Sequence, residues 1–203
     1  MTKSLRNIVL DNNKKNYYCT DKAGGQNAVE DYGYAHRCHE YAEFYDYLLN
    51  PLRNKEVKLL EIGIAKGGSI QMWREYFDKG TIYGVDNVPY LLNIKRDFND
   101  PNIITFWENA YCNAFIDKLT NLELSFDVIL DDGPHTLDSQ KFFVNNYHQF
   151  LNDQGYMIIE DISGIDNARE LHNLLMPHVR FSFIIDRTQL TGLSDEIILI
   201  GVK

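Results

Sequence analysis

The sequence has no hydrophobic run that approaches the roughly 20 residues a membrane-spanning helix requires. Residues Met1 to Leu10 also lack the long apolar core of a secretory signal peptide. Basic residues are in the minority, with 20 Lys and Arg against 29 Asp and Glu and a formal net charge of −9. Because nonspecific nucleic-acid binding depends on neutralising phosphates, this balance disfavours it. We therefore expect a cytoplasmic protein that binds neither a membrane nor nucleic acid.

Cysteine is also scarce, since the chain contains only Cys19, Cys38 and Cys112. An odd number of cysteines without a C-x-x-C pair argues against a disulfide framework and against a structural zinc site. The sequence has no G-x-S-x-G nucleophile motif and no cysteine with an evident catalytic partner. No covalent nucleophile is therefore apparent.

The sequence does contain a regular alternation of apolar strand patterns and amphipathic helix patterns. The predicted strands of five β–α repeats are Val57–Ile62, Thr81–Val85, Asn102–Phe106, Phe126–Leu130 and Tyr156–Ile159. The predicted helices are Ser69–Phe77, Pro89–Phe98, Tyr111–Leu119, Asp138–Leu151 and Asp166–Met176, with a turn at Asn152–Gly155. Two last strands, Phe181–Asp186 and Glu196–Val202, are joined by a polar segment too short for a helix, so they should be antiparallel. The predicted fold is α/β, a doubly wound, seven-stranded Rossmann-like sheet that is mostly parallel with an antiparallel terminal strand.

A chain of 203 residues fits a single domain. We assign residues 51–203 to the Rossmann-like core and residues 1–50 to an N-terminal arm and helix that cover the site. Residues 1 to 28 show no periodicity and predict an extended arm, whereas Val29–Leu49 has helical spacing. Tyr41 and Tyr45 are expected to help the arm cover the site.

The most informative stretch runs from Leu59 to Ser69, where an apolar run ends at Glu61 and is followed by Gly63, Gly67 and Ser69. This pattern predicts a buried strand, a glycine loop and the start of a helix. Such a junction can direct backbone N–H groups at an anionic part of a ligand, although many α/β domains carry one for packing alone. Asp86 follows the loop by about 20 residues, where an acid can contact a ribose diol or cap the next helix.

Acidic residues follow four of the five predicted parallel strands, and ligands of open α/β sheets bind beyond these strand ends. The residues at the five ends are Glu61, Asp86, Asn109-Ala110, Asp131-Asp132 and Glu160-Asp161. The glycine loop reads E-x-G-x-x-x-G-G instead of the G-x-G-x-x-G of dinucleotide-binding proteins. Its acid would repel a pyrophosphate but suits a sulfonium or ammonium ligand. This disfavours a nicotinamide-dependent oxidoreductase.

Several short motifs occur in a recognisable order: Thr20-Asp21-Lys22, His39-Glu40-Tyr41, Tyr45, Pro51-Leu52-Arg53, Leu60-Glu61-Ile62-Gly63, Asp131-Asp132-Gly133-Pro134-His135 and Glu160-Asp161. With them, the chain from Thr20 onward resembles the class I S-adenosylmethionine-dependent methyltransferases. It is similar in particular to the metal-dependent O-methyltransferases of macrolide-linked deoxysugars and rhamnose, relatives of the cephalosporin hydroxylase-like group.

The resemblance implies a role for each candidate site residue. It places S-adenosylmethionine at Glu61, Gly63, Gly67, Ser69, Asp86, Asn109 and Asp131 and Mg²⁺ at Asp132, Glu160 and Asp161. It makes His135 the general base, with Asp132 as its catalytic partner. The implied reaction is methylation of a sugar hydroxyl, on a free, nucleotide-linked or glycan sugar. This chemistry is consistent, because Mg²⁺ polarises a hydroxyl while a neutral imidazole accepts its proton.

The sequence departs from this family at two positions of the site. Pro134 replaces a commoner serine before His135, and Ala110 replaces the acid that holds the adenine amine, which leaves Asn109 as a substitute. Asp131 and Asp132 alternate along the chain, so we expect only one of them to face the metal. Two alternatives stay open: an O-methyltransferase of another small molecule such as a phenol, and a catalytically silent partner subunit that binds S-adenosylmethionine. A homo-oligomer also stays open.

Overall fold

The computed structural model describes residues 3–14, 22, 41–65, 67–87, 98–192 and 194–203. The chain divides into two compact units that interleave in sequence. The first comprises Met1–Val57, Ile64–Ile82 and Pro89–Ile104, and the second comprises Lys58–Gly63, Tyr83–Val88 and Thr105–Lys203. Residues 29–40 of the predicted helical segment Val29–Leu49, residues 89–97 of the predicted helix Pro89–Phe98, and the motif residues 20–21 and 39–40 lie outside the described residues.

Seven strands form one sheet in the order β3-β2-β1-β4-β5-β7-β6. They are β1 Lys58–Ile62, β2 Thr81–Val85, β3 Ile103–Phe106, β4 Phe126–Asp131, β5 Leu151–Ile159, β6 Phe181–Asp186 and β7 Ile197–Val202. Strand β4 pairs in parallel with β1 and with β5, whereas β7 is antiparallel to both β5 and β6. The predicted Rossmann-like sheet with its antiparallel terminal strand is confirmed.

Seven α-helices occur among the described residues: α1 Leu5–Lys14, α2 Ala42–Leu49, α3 Gly68–Tyr76, α4 Asn113–Asn121, α5 Leu137–Tyr147, α6 Ile165–Leu175 and α7 Thr188–Thr191. Helix α1 contradicts the predicted absence of periodicity at the N-terminus. Its residues Leu5, Ile8, Val9 and Asn12 are buried at helical spacing. The surrounding Asn and Lys residues obscured this short apolar face. None of the helices described is long and apolar enough to cross a membrane.

Two connections near the C-terminus also differ from the prediction. The segment after β6 holds the short helix α7, which ends at Gly192 in a left-handed conformation (φ 72°). The predicted turn at Asn152–Gly155 is instead part of β5, because the β4–β5 register shifts between Phe126 and Val128. The shift accommodates turn-forming residues within a strand, and Gln154 has a φ of 63° there.

The core of the first unit is aromatic. Tyr41 and Tyr45 are both buried, and the ring of Tyr45 lies edge-on to Trp73 at 5.4 Å between centroids. Trp73 in turn stacks on Phe77 at 6.2 Å. Within this unit helix α1 packs against α2 and α3. The two tyrosines expected to cover the site are therefore core residues of the first unit.

The core of the second unit is the central sheet. Strands β1 and β4 are nearly continuous apolar runs, and their side chains are buried from Leu59 to Ile62 and from Val128 to Asp131. Strands covered on both faces have this composition. The acidic residues Glu61 and Asp131 stand out because they are buried near the carboxyl ends of such strands.

Candidate active site

Backbone hydrogen bonds bring the predicted strand ends together in the second unit. The N–H of Asp132 donates to the Ile62 carbonyl at 2.9 Å, and that of Glu160 donates to the Asp131 carbonyl at 3.0 Å. On the other side of β1, the N–H of Gly63 donates to Val85 at 2.9 Å. The carboxyl ends of β2, β1, β4 and β5 are therefore neighbours along one edge of the sheet, as parallel pairing requires.

Gly63 permits this close approach. Its φ is 83°, and a Cβ at this position would lie 2.0 Å from the Asp132 carbonyl oxygen. Only glycine fits a left-handed backbone conformation pressed against another main chain. The glycine of the loop therefore holds the end of β1 against the segment that carries Asp132. Glu61, two residues earlier, is fully buried in β1 and pairs with Leu130 of β4.

Three side chains converge just beyond β4 and β5. The His135 Nε2 lies 3.3 Å from Asp132 Oδ1 and 3.6 Å from Asp161 Oδ2. One potential metal-binding atom from each of these residues lies within 4.8 Å of the others. The exposed fraction of the side chain is 38% for His135, 20% for Asp132 and 7% for Asp161. The group is thus reachable from solvent through the imidazole and is enclosed on the Asp161 side.

The backbone at this group is strained. His135 has a φ of 55° and Asp161 a φ of 52°, both in the left-handed region that non-glycine residues rarely adopt. Each such residue costs roughly 1–3 kcal/mol, and strain of this kind concentrates at functional sites. The residue that follows His135 is Thr136, whose hydroxyl accepts the Ser139 N–H at 3.2 Å and caps helix α5. Despite Pro134, the histidine therefore reaches the carboxylates.

The charges around His135 determine its protonation. Burial lowers the pKa of the imidazole, but the hydrogen bond to Asp132 and the charges of Asp161, Asp132 and Asp131 outweigh burial and raise it to about 9. At neutral pH the imidazole is therefore a cation between carboxylates. The carboxylates of Asp132 and Asp161 stabilise this positive charge on the imidazole.

Asp131 is not part of this group and lies beside Tyr111. The Tyr111 hydroxyl donates to Asp131 Oδ1, and the Gly133 N–H donates to the same oxygen at 3.3 Å. Asp131 Oδ2 is buried and has no hydrogen-bond partner among the described residues. Burial, which outweighs these hydrogen bonds, raises the pKa of Asp131 to about 6. Asp132 belongs to the three-residue group and Asp131 does not, and the expectation that only one of them faces a metal stays a prediction.

Tyr111 did not emerge from the sequence. It is one of 13 tyrosines, and its only distinguishing feature is its position just after the third strand end. Burial and the Asp131 charge raise its pKa far above the ordinary range, so its hydroxyl stays protonated and donates. A Cβ at Gly133 would lie 1.9 Å from this hydroxyl. The tyrosine therefore rests directly on the turn that leads to His135.

Glu160 is not part of the three-residue group. It is buried, with 2% of its surface exposed, and its carbonyl accepts the Gln140 side-chain amide at 3.1 Å. Its assignment as a metal ligand remains a prediction, since it directly precedes Asp161.

The remaining cofactor candidates lie in both units. In the second unit Asp86 is largely buried, and its N–H donates to Phe106 at 3.1 Å. Asn109 Oδ1 accepts the Tyr111 N–H at 2.9 Å. An amide oxygen can accept two hydrogen bonds, so this one can take a second donor. In the first unit Ser69 is buried near the start of α3, and Gly67 precedes that helix with a φ of 78°. A Cβ on Gly67 would lie 2.5 Å from the Phe98 ring.

Comparison with known proteins identifies the family. The sequence model of a family described as "Methyltransferase domain" matches residues 60–162. The 8-demethyl-8-(2-methoxy-alpha-L-rhamnosyl)-tetracenomycin-C 3'-O-methyltransferase of Streptomyces olivaceus is 29% identical over 131 residues, which cover 61% of this chain and 32% of that protein. Demethylmacrocin O-methyltransferase of Streptomyces fradiae is 28% identical over 138 residues, 61% of this chain and 32% of that protein. The match therefore spans about a third of the length of these relatives.

Solved structures show the same fold. MycE, a methyltransferase from the mycinamycin biosynthetic pathway solved in complex with Mg and SAH, superposes with a TM-score of 0.62 at 23% identity, over 79% of this chain and 37% of that one. The fibrillarin pre-rRNA processing protein of Methanococcus jannaschii gives a TM-score of 0.60 at 19% identity, over 73% of this chain and 67% of that one. The resemblance inferred from the sequence motifs is confirmed by these matches.

Proposed function

Because the chain belongs to this methyltransferase domain family, we propose that it is an S-adenosylmethionine-dependent O-methyltransferase that acts on a sugar hydroxyl. The observation that carries the proposal is the group of Asp132, His135 and Asp161 at the carboxyl ends of β4 and β5. This group combines a proton acceptor with carboxylates beside a glycine turn. The relative named above for a rhamnosyl substrate supports the sugar as the acceptor.

The donor set fits a hard divalent cation. Asp132 and Asp161 offer carboxylate oxygens, which Mg²⁺ prefers, and a site of two or three carboxylates leaves positions for water or substrate. We assign Asp132 and Asp161 as the residues that would hold Mg²⁺, with Glu160 as a third candidate. When bound, this ion would supply a positive charge that polarises the acceptor hydroxyl.

The cofactor candidates fit a ligand that carries a positive charge. Glu61 and Asp131 are buried acids at adjacent strand ends, and Asp131 Oδ2 has no hydrogen-bond partner among the residues described. A sulfonium and an ammonium group would compensate such carboxylates. We keep Asp86 as the candidate for the ribose diol and Asn109 for the adenine. Gly63 and Gly67, together with Ser69, complete the candidate set.

His135 is proposed to accept the proton of the acceptor hydroxyl at Nε2. The neighbouring carboxylates hold its pKa at about 9 in the protein without ligands. Their charges must therefore be neutralised before Nε2 can accept a proton near neutral pH. Methyl transfer from a sulfonium is a direct displacement, so positioning of the two reactants would supply much of the rate. No residue needs to form a covalent intermediate.

The decisive experiment is a methyl-transfer assay across a panel of sugars and sugar nucleotides with S-adenosylmethionine. We expect turnover of at least one sugar and its loss in His135→Ala. His172→Ala is the matched control, because His172 lies in helix α6 and its Nδ1 is 3.0 Å from the Ser182 hydroxyl of β6, outside the three-residue group. Turnover of phenols alone would favour the small-molecule alternative, and cofactor binding without any turnover would favour the silent partner subunit. If calorimetry shows that NAD binds and S-adenosylmethionine does not, the assignment of S-adenosylmethionine as the cofactor is refuted.

A further inference from the structure

Two segments of the second unit carry different parts of the candidate site. The post-β3 segment, residues 109–112, contains Asn109, the candidate for the adenine. The post-β4 segment, residues 132–135, contains Asp132 and His135. Methyl transfer is a direct displacement, so its rate depends on how accurately the cofactor side and the acceptor side are aligned. A residue that holds the two segments together would control this alignment.

Tyr111 is bonded to both segments. Its N–H donates to Asn109 Oδ1 at 2.9 Å, which constrains the backbone of the post-β3 segment. Its hydroxyl donates to Asp131 Oδ1, the same oxygen that accepts the Gly133 N–H at 3.3 Å. Through this shared oxygen, the phenol is connected to the last residue of β4 and to the post-β4 segment.

The post-β4 segment also lies directly against the Tyr111 side chain. A Cβ at Gly133 would lie 1.9 Å from the Tyr111 hydroxyl oxygen and 2.9 Å from Cζ. Gly133 is not among the glycines with a positive φ, so this contact excludes a side chain there and the backbone conformation does not. The hydroxyl therefore limits the path of the chain from Asp131 to His135, whose φ is 55°.

Helix α5 holds the Tyr111 ring and the post-β3 segment in place. The ring of Phe142 meets that of Tyr111 edge-on at 6.3 Å between centroids. The Tyr147 hydroxyl donates to the Ala110 carbonyl at 2.6 Å. Neither contact uses the Tyr111 hydroxyl. Tyr111→Phe should therefore keep the ring in place and remove only its link to Asp131 and the post-β4 segment.

We propose that Tyr111 is a positioning residue for methyl transfer, whose hydroxyl aligns His135 with the bound cofactor. The inference rests on the function proposed above, in which Asn109 contacts the adenine and His135 accepts the proton of the acceptor hydroxyl. Tyr111 acts on the acceptor side through the post-β4 segment. A displacement of about 1 Å between reacting groups can lower a rate by about 100-fold, so the loss of this one hydroxyl should lower turnover strongly.

Steady-state kinetics of Tyr111→Phe, on a sugar that the parent chain methylates, tests this role. We expect kcat to fall by ~10-fold or more, while KM for S-adenosylmethionine and for the sugar stays close to the parent value. Binding is retained because the Gly133 N–H still donates to Asp131. The value of kcat is expressed per S-adenosylmethionine-binding site counted by calorimetry, so that a loss of folded protein cannot imitate the effect.

Tyr147→Phe is the matched control for these kinetics. It removes a buried tyrosine hydroxyl that also holds the post-β3 segment, but this hydroxyl bonds the Ala110 carbonyl and not the post-β4 segment. The control should retain most of the parent kcat. An equal loss of kcat in the two variants would refute the inference, and so would a Tyr111→Phe variant with the parent kcat. A raised KM with an unchanged kcat would also overturn it, because Tyr111 would then act on binding.

Thermal unfolding tests the contact without any turnover. Gly133→Ala should lower the melting temperature of the parent chain more than that of Tyr111→Phe, because removal of the hydroxyl relieves the shortest contact of the added methyl group. Equal decreases in the two backgrounds would overturn the inference, since the hydroxyl would not constrain the post-β4 segment. A parent chain that methylates no sugar would refute the proposed function, whereas normal turnover without this coupling would refute only the role of Tyr111.

Discussion

The Tyr111 hydroxyl donates a hydrogen bond to Asp131, a buried carboxylate at the carboxyl end of β4. The same hydroxyl occupies the space that a side chain at Gly133 would need. Tyr111 therefore supports the start of the segment that leads from β4 to Asp132 and His135. The contact joins the segment after β3 to the end of β4, although Tyr111 and Asp131 are separated by 20 positions in the sequence.

Tyr111→Phe should destabilise the protein by about 1–3 kcal/mol, because it leaves a buried carboxylate with one hydrogen bond fewer. Urea unfolding followed by fluorescence measures this change. Tyr147→Phe is a matched control, since its buried hydroxyl donates to the Ala110 carbonyl at 2.6 Å and not to a carboxylate. The control should lose about 0.5–1.5 kcal/mol, the value of an ordinary hydrogen bond. Equal losses in both variants would contradict a special role for Asp131.

Gly63→Ala should destabilise the protein far more than Gly164→Ala. Both glycines have a left-handed φ, 83° and 86° respectively, so alanine is strained at either position. Only Gly63 lies against another main chain, whereas a Cβ at Gly164 would meet nothing within 4 Å. Thermal unfolding of the pair therefore separates steric overlap from backbone strain. If the two variants have the same melting temperature, the close approach of β1 to Asp132 is not the reason that position 63 requires glycine.

Mg²⁺ should raise the melting temperature of the protein, and excess EDTA should abolish the increase. A ligand that binds only the folded state at 100 times its Kd stabilises it by about 2.7 kcal/mol. Asp161→Asn and Asp132→Asn should each remove the response, because each removes a carboxylate of the cluster. Asp138→Asn, at an exposed position in the first turn of α5, should retain it. A Mg²⁺ response that survives both cluster substitutions would place the cation elsewhere.

His178 should make the protein less stable at mildly acidic pH. Its ring stacks on His148 at 3.7 Å, and burial, together with the His148 charge, lowers its pKa from 6.5. The unfolded chain then binds a proton more readily than the folded chain, so stability is retained above pH 6.5 and falls as the pH drops toward the lowered pKa. Melting temperatures between pH 8 and pH 5 should fall less in His178→Gln than in the parent protein. An unchanged slope would exclude this histidine as the cause.

Much of the fold could be predicted because its strands are short apolar runs with polar ends. Strand β2 and strand β6 have the predicted bounds, Thr81–Val85 and Phe181–Asp186. The misassigned segments are those in which local composition opposed the tertiary context. Polar neighbours obscured α1, and turn-forming residues at 152–155 became part of β5 through a register shift.

The sequence alone determined the order of strands and helices and the positions of the acidic residues at the strand ends, because hydrophobic periodicity and motif spacing are properties of the local chain. Only the tertiary structure decided that Asp132, His135 and Asp161 form one group, that Asp131 turns toward Tyr111 and that Glu160 lies outside the group. The reason is physical: strand pairing and left-handed backbone angles at His135 and Asp161 set the directions of these side chains. Neither can be read from neighbouring residues.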